Sequence, residues 1–159
     1  MALGFTGSSL FNLEAIYKNP GNLTTPTEAI SVSKSVTWTG SNGNRFYYQR
    51  IALSASTPVT TNLYGAITDA FGNTLNFASI RQLIFENRGT TGQNVTVTGN
   101  FMTGSIIGAT GSLTLPPGLT VFSSPIDGFA VTDTTKEAIT LTPGAYAVDV
   151  DLVLIGVSA

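Results

Sequence analysis

Apolar and polar residues alternate along much of this chain, and turn-forming residues interrupt the alternation at short intervals. The stretch from Ile30 to Trp38 shows the pattern most clearly. Its apolar positions are Ile30, Val32, Val36 and Trp38, and its Ser and Thr positions are Ser31, Ser33, Ser35 and Thr37. Because successive side chains of a β-strand point to opposite faces, a period of two indicates strands with one buried face.

Runs of this kind recur to the end of the sequence, separated by Gly, Pro and Asn residues. The predicted strands are Ile30 to Trp38, Phe46 to Leu53, Asn62 to Ile67, Ile80 to Glu86, Asn94 to Gly99, Ser112 to Leu115, Leu119 to Ser123, Phe129 to Thr132, Glu137 to Leu141 and Tyr146 to Ile155. About eight to ten short strands favour two antiparallel sheets that close over one core. We therefore expect an all-β fold, a two-sheet β-sandwich of jelly-roll type, over residues 30–159.

Both ends of this region carry more specific signals. Asn42 and Gly43 form a turn dipeptide that predicts a hairpin between the first two of these strands. The last strand has one apolar face, and its other face carries, in order, Ala147, Asp149, Asp151, Val153 and Ile155. A strand that becomes buried on both faces is expected at the centre of a sheet. Residues 63–71 fit a short helix as well as a strand.

The first 29 residues differ from the rest because Gly and Pro break any regular pattern. We interpret residues 1–29 as an extended N-terminal arm that binds a partner through its apolar side chains. The predicted partner-binding residues are Phe5, Leu10, Phe11, Leu13, Ile16 and Tyr17. Two alternatives stay open at this point. Ser9 could cap a short helix, and the arm could wrap around its own domain rather than a neighbour.

The amino-acid composition argues against several classes of function. Charged residues make up only 10% of the chain, and the seven basic residues are scattered. Nucleic-acid binding needs clustered basic residues, so no nucleic-acid partner is expected. No apolar stretch approaches the ~18 residues that cross a bilayer, and the start lacks the pattern of an export signal, so no membrane partner is expected either.

The residues that most enzymes and metal sites use are missing or poorly placed. There is no His and no Cys, which removes imidazole bases, thiolate nucleophiles and the usual zinc sites. Ser31 and Lys34 match the spacing S-x-x-K but fall in a predicted strand, where residues three apart face opposite ways. Asp149 and Asp151 are interpreted as a solvated strand face. We expect no enzyme activity, no cofactor and no bound metal.

Two further features contain residues that binding sites use. The stretch around Gly104, Gly108 and Gly111 lacks a phosphate-binding pattern and is interpreted as a mobile loop. The aromatic residues Phe46 to Tyr48, with Trp38, could form a platform for a sugar, although Trp38 and the Phe residues also suit a core or an interface. A receptor-binding or carbohydrate-binding module is therefore the alternative function.

Several short segments from Ile51 to Ala159 form a recognisable set. They are Asp69 to Phe77 (DAFGNTLNF), Ile80 to Asn87, Leu115-Pro116-Pro117-Gly118 with Phe122, Gly128 to Thr132 (GFAVT), and Val150 to Gly156 (VDLVLIG). In pattern and composition, this set resembles head decoration, or cement, proteins of tailed bacteriophages, and more broadly their small β-rich virion proteins.

This resemblance implies a function without a catalytic residue. Proteins of this kind are made in the host cytoplasm and bind the exterior of the assembled capsid, where they stabilise the shell. The implied partners are the major capsid protein and further copies of the chain, as a homotrimer. Binding is expected through broad surfaces, so the resemblance assigns no individual residue.

Overall fold

The computed structural model describes residues 7–18, 27–39, 43–69, 71–124 and 126–159. In these ranges, the chain forms strands with one short helix. The elements are β1 (Gly7–Lys18), β2 (Thr27–Trp38), β3 (Arg45–Leu53), β4 (Val59–Asn62), β5 (Tyr64–Thr68), β6 (Thr74–Asn87), β7 (Val95–Thr98), α1 (Asn100–Ser105), β8 (Leu113–Leu115), β9 (Gly118–Ser123), β10 (Phe129–Ala130), β11 (Ala138–Pro143) and β12 (Val148–Ser158).

The strands form three antiparallel sheets. Strands β1 and β2 pair only with each other among the described pairings. The largest sheet has the order β10-β6-β12-β3, and β5 and β9 also pair with the long strand β6. We call it the main sheet. A four-stranded sheet has the order β4-β11-β7-β8, and we call it the second sheet.

The two larger sheets share one core. Buried apolar side chains of the main sheet, such as Phe85 and Leu152, belong to the same cluster as Val97 and Leu141 of the second sheet. Because each strand turns one face toward this cluster, alternate residues are buried, as in the pattern from Val95 to Thr98. The expected all-β fold is confirmed, and the antiparallel sheets are consistent with a β-sandwich.

The prediction for the last strand is also confirmed. Strand β12 lies between β6 and β3 in the main sheet. Val150, Leu152 and Leu154 are buried on the core face, while Ile155 is buried on the opposite face. A central position therefore explains why apolar residues occupy both faces at the end of this strand.

The structure corrects the prediction of a hairpin at Asn42 and Gly43. Asn42 lies outside the described residues, and β2 pairs with β1 rather than with β3. Gly43 is buried, and a Cβ at this position would lie 3.0 Å from the Trp38 ring and 3.1 Å from Ile155. Gly43 is thus packed between the Trp38 side chain and Ile155 of the main sheet, and β3 pairs with β12 instead.

Three local expectations about helices also change. Residues 7–18 form a strand, so the short helix that Ser9 could have capped is wrong. Residues 64–68 form β5, which selects the strand over the helix in that region. Gly104 lies in α1, where Phe101 and Met102 are completely buried. The mobile-loop interpretation therefore fails there, because these two side chains hold the segment against the core.

Candidate protein-binding surface

Strands β1 and β2 form a long hairpin at the N-terminal end of the described chain. Twelve residue pairs connect them, from Gly7 opposite Trp38 to Lys18 opposite Thr27. Strands of this length span about 40 Å at roughly 3.4 Å per residue. A two-stranded hairpin is marginally stable alone in water, so one this long needs a further surface to pack on.

The base of the hairpin is fixed to the main sheet through a chain of hydrogen bonds. The completely buried Trp38 donates its Nε1 hydrogen to Ser9 Oγ over 2.7 Å. Ser9 in turn donates to Gln82 Oε1 of β6 over 2.5 Å. Buried polar groups need such partners, so both strands of the hairpin are held at this end.

Beside this base, the outer face of the main sheet carries apolar side chains. The register places Val121, Ile84, Val153 and Tyr48 in one row across β9, β6, β12 and β3. Tyr48 is 52% exposed and Val121 is 39% exposed. Leu119, in the next row, is 64% exposed. A contiguous apolar face of this kind is typical of a protein interaction site.

A groove runs between the hairpin base and this face. Its volume is about 470 Å³. The apolar residues that line it are Leu10 and Val36 from the hairpin and Ile84, Leu119 and Val121 from the main sheet. The polar residues that line it are uncharged: Ser9, Gln82 and Ser123. We call this the β9 groove, and its chemistry suits an uncharged, partly apolar partner.

The backbone of β9 is paired on one side only in the described part of the chain. The Ser124 amide donates to Arg81 O, which makes that opposed pair a hydrogen-bonded one. Hydrogen-bonded pairs alternate along an antiparallel ladder, so Leu119, Val121 and Ser123 point their amide and carbonyl groups away from β6. These outward groups make β9 an edge that a further strand could join.

An ion cluster lies on the same sheet face, in the row that runs from Leu119 through Glu86 to Asp151 and Arg50. Asp151 of β12 is almost completely buried and accepts hydrogen bonds from Arg50 Nε and Arg88 Nε, each over 2.7 Å. The hydrogen bond from Arg50 lowers the pKa of Asp151 to about 2, together with Arg88 and against the opposing effect of desolvation. The solvated-face interpretation therefore fails for Asp151, while Asp149 is exposed.

The low pKa of Asp151 makes part of the stability depend on pH. Its pKa falls from 3.8 to about 2, so the contribution is present above about pH 4 and is lost as the pH falls toward 2. We expect Asp151→Asn to lower the free energy of unfolding at pH 7 by about 1 to 2 kcal/mol, since the half-exposed arginines are partly screened by solvent. Urea denaturation between pH 7 and pH 2 measures this.

The control for this prediction is Asp149→Asn, on the same strand face. Its effect should stay within about 0.5 kcal/mol at every pH, as for an ordinary surface substitution. The free energies of unfolding of wild type and Asp151→Asn should converge as the pH falls, so that the two proteins have nearly equal stability at pH 2. A constant difference between them from pH 7 to pH 2 would contradict the role given to the carboxylate.

A second groove lies where the edges of the two larger sheets meet. Its volume is about 510 Å³, and Tyr47, Tyr48, Thr61 and Asn62 are among the residues that line it. Tyr47 is nearly buried and its hydroxyl hydrogen-bonds to Gln49 Oε1. Aromatic rings beside hydroxyl and amide groups form a mixed surface that can bind a polar ligand.

The structure places the predicted partner-binding residues unevenly. Leu10 lines the β9 groove and is 67% exposed. Phe11, Leu13, Ile16 and Tyr17 lie along β1, and Phe5 lies outside the described residues. Trp38 is a core residue rather than part of a sugar platform.

The sequence analysis missed the exposed residues of β9. Their signal is present in the segment Gly118 to Ser123, which contains no charge and no Pro. Natural edge strands usually carry such protective residues, so their absence marks a strand that can pair with another chain. The sequence predicts a strand at Leu119 to Ser123, but the position of this strand at an edge depends on sheet order.

No other kind of site emerges from the described ranges. Within them, no three His, Cys, Asp or Glu side chains come together as a metal-binding group. Among the same residues, no helix has the length and apolar character that crossing a membrane requires. No protein-family model, curated protein or solved structure matches the chain.

Proposed function

We propose that this chain is a virion structural protein of a tailed bacteriophage, a decoration or cement protein. It binds the outer surface of the assembled head and stabilises the shell by contact with the major capsid protein. It acts as a homotrimer, without enzyme activity, cofactor, nucleic acid or membrane. Its sandwich is of jelly-roll type, and its N-terminal region is the arm that reaches a neighbouring subunit.

The observation that carries this proposal is the long hairpin. Its described contacts with the main sheet lie at its base, through Ser9 and Trp38. The hairpin is thus fixed at its base, and its paired strands extend well beyond that base. Such a ribbon gains stability by packing on another surface. A shell-binding protein needs an element of this shape to reach beyond its own footprint.

The charge and exposure of the surface support the same function. The exposed large apolar side chains include Leu10, Leu119 and Val121, and the net charge is −2. Burial of apolar area contributes about 25 cal/mol per Å² before the cost of association is subtracted. Broad contact with a shell therefore requires area and shape rather than a few strong ionic pairs.

Removal of the outer part of the hairpin should abolish shell binding. In the test variant, an Asn-Gly turn replaces residues 11–34, so that the opposed pair Leu10 and Ser35 flanks the new turn. We expect binding to empty phage shells to weaken at least a hundredfold, because the part of the hairpin that reaches a neighbouring subunit is gone. Co-sedimentation measures binding, and the melting temperature of the shell measures stabilisation.

Two controls separate binding from folding. The shortened variant retains Ser9 and Trp38, so its circular dichroism and cooperative unfolding should remain those of a folded β-protein. Phe71→Ser, which changes an exposed side chain in the turn before β6, should bind shells like wild type. If the shortened variant binds shells as well as wild type does, the hairpin has no role in shell binding. If wild type binds no shells, the proposed function is refuted.

The groove at Tyr47 and Tyr48 favours a second candidate, a receptor-binding or carbohydrate-binding tail module. Its lining provides aromatic rings, threonine hydroxyls and side-chain amides without a charged residue. Those groups match the mixed apolar and hydroxylated faces of a neutral sugar. Binding of wild type to host glycans, with no binding to shells in the experiment above, would favour this candidate over the first.

A further inference from the structure

We propose that the β9 groove receives the β1–β2 hairpin of a second copy of this chain, with a hairpin strand pairing along the open edge of β9. The contact is between two different surfaces, so it repeats from copy to copy and can close into a ring. The number of subunits in this ring, three, rests on the proposed function, whereas the contact between the hairpin and β9 does not.

The open edge of β9, which borders the groove, favours a strand as the occupant. Leu119, Val121 and Ser123 turn their backbone amides and carbonyls away from β6, and their side chains are exposed. A strand that joins this edge satisfies those groups with a new ladder, as in peptide recognition by strand addition. A helix or loop would leave the ladder unmade.

The charge of the groove restricts the occupant further. The eight residues that line it carry no charge. An acidic or basic segment would lose its hydration there without gaining an opposite charge. The occupant is therefore a strand that is mostly uncharged and alternates apolar with small polar residues.

The hairpin of this chain has these properties. Its two strands contain four charged residues in 24 positions, Glu14, Lys18, Glu28 and Lys34. It also lacks a third strand among the described pairings. One contact between a hairpin and a β9 edge would therefore pair the open edge of β9 and stabilise the hairpin.

The occupant comes from another molecule because the chain's own hairpin already forms one wall. Leu10 and Val36, near its base, line the groove opposite Leu119 and Val121. The Trp38 and Ser9 hydrogen bonds fix this wall against β6. A further strand between the wall and β9 is thus contributed by a second copy, whose own groove takes the hairpin of the next.

Val121→Pro tests the edge with little disturbance of the fold. The Val121 amide points away from β6, so its loss leaves the β6–β9 ladder intact, and Pro is tolerated at such edge positions. We expect wild type to be oligomeric at micromolar concentration in sedimentation velocity, and Val121→Pro to weaken association at least tenfold. The single Trp38 gives a fluorescence check that the fold is retained.

A second variant guards against a local effect of Pro. Leu119→Lys with Val121→Lys places charges on the exposed face of β9, as natural edge strands do, and should weaken association to the same extent. The matched control is Phe71→Lys with Tyr146→Lys, which adds the same charge at two exposed apolar positions outside the groove. This control should associate like wild type.

Mixing two defective variants identifies the occupant. The hairpin-shortened variant keeps an intact β9 edge, and Val121→Pro keeps an intact hairpin. At a concentration where each variant is monomeric alone, an equimolar mixture should form a dimer with a single contact that cannot close into a ring. Pairing of β9 with β9 would not give this complementation, because one of the two edges is blocked.

The possible results separate this inference from the proposed function. A monomeric wild type, edge variants that stay oligomeric, or a mixture that fails to complement would each overturn the inference. Complementation by a protein that binds no shells would support the inference and refute the proposed function. If the protein binds shells but its edge variants still associate, the proposed function is supported and the inference is refuted.

Discussion

Trp38→Ala is expected to lower the free energy of unfolding by roughly 3 to 5 kcal/mol, the usual cost of deleting a buried large aromatic side chain. Trp38 is completely buried, and its indole packs near Gly43 and Ile155. It also holds the hairpin through the hydrogen bond to Ser9. Because most domains are stable by only about 5 to 15 kcal/mol, this variant should be close to unfolding.

The control for this prediction is Trp38→Phe, which keeps an aromatic ring but has no N–H donor. It should cost about 1 to 3 kcal/mol, from the lost hydrogen bond and the smaller ring. Urea denaturation followed by circular dichroism measures both variants. Amide hydrogen exchange should also show loss of protection at the hairpin base in Trp38→Ala. Equal stability of the alanine and phenylalanine variants would show that ring packing contributes little.

Gly156→Ala is expected to destabilise the protein by roughly 3 kcal/mol or more, through overpacking at the centre of the main sheet. A Cβ at Gly156 would lie 2.3 Å from Ser79 O and 2.8 Å from the Phe77 ring. Ser79 O belongs to the backbone of β6, so it cannot rotate away. The register between β12 and β6 shifts next to Gly156, and the added methyl group would force this irregular pairing apart.

Gly144→Ala is the matched control for Gly156→Ala. The nearest atom to a Cβ at Gly144 is Asn94 O at 3.8 Å, which is ordinary contact distance. This variant should be neutral or slightly stabilising, by up to about 1 kcal/mol, because alanine restricts the unfolded chain. Thermal unfolding of the pair gives the comparison. Similar melting temperatures for both variants would show that β6 can move to accommodate a methyl group.

The fold class could be predicted from the sequence because alternation is a local signal. Val95 to Thr98 show the period of two that the structure has as alternate burial, and every second residue from Val148 to Leu154 is buried on the core face. The central position of β12 was predictable for the same reason, since apolar residues on both faces indicate cover on both sides. These patterns depend on the strand itself and not on which strands lie beside it.

The features that were missed depend on distant parts of the chain. Asp151 is paired with Arg50 of β3 and with Arg88, directly after β6, which are 101 and 63 residues away in sequence. The turn signal near Gly43 correctly marked a break, but β2 pairs with the preceding strand β1 rather than with β3. Helix α1 was missed because its buried pair, Phe101 and Met102, is too short to show a helical period.

The same distinction applies to the candidate surface. The apolar character of residues 10–17 was visible in the sequence and led to the prediction of a partner-binding arm. The β9 groove was not, because it combines a hairpin base with an edge strand more than 80 residues later. Only sheet order shows that Leu119 and Val121 lie at an edge, where an apolar side chain is exposed instead of buried.

The central place of β12 affects how the protein is made. Strand β12 provides the ladder for both β3 and β6, yet it is synthesised after every other strand described here. On the ribosome, β3 and β6 therefore have no partner between them until Val148–Ser158 has left the exit tunnel. Pairings across such long separations also form slowly. The edges of β3 and β6 that β12 later covers therefore stay unpaired while residues 88–147 are synthesised, which makes chaperone binding in that interval advantageous.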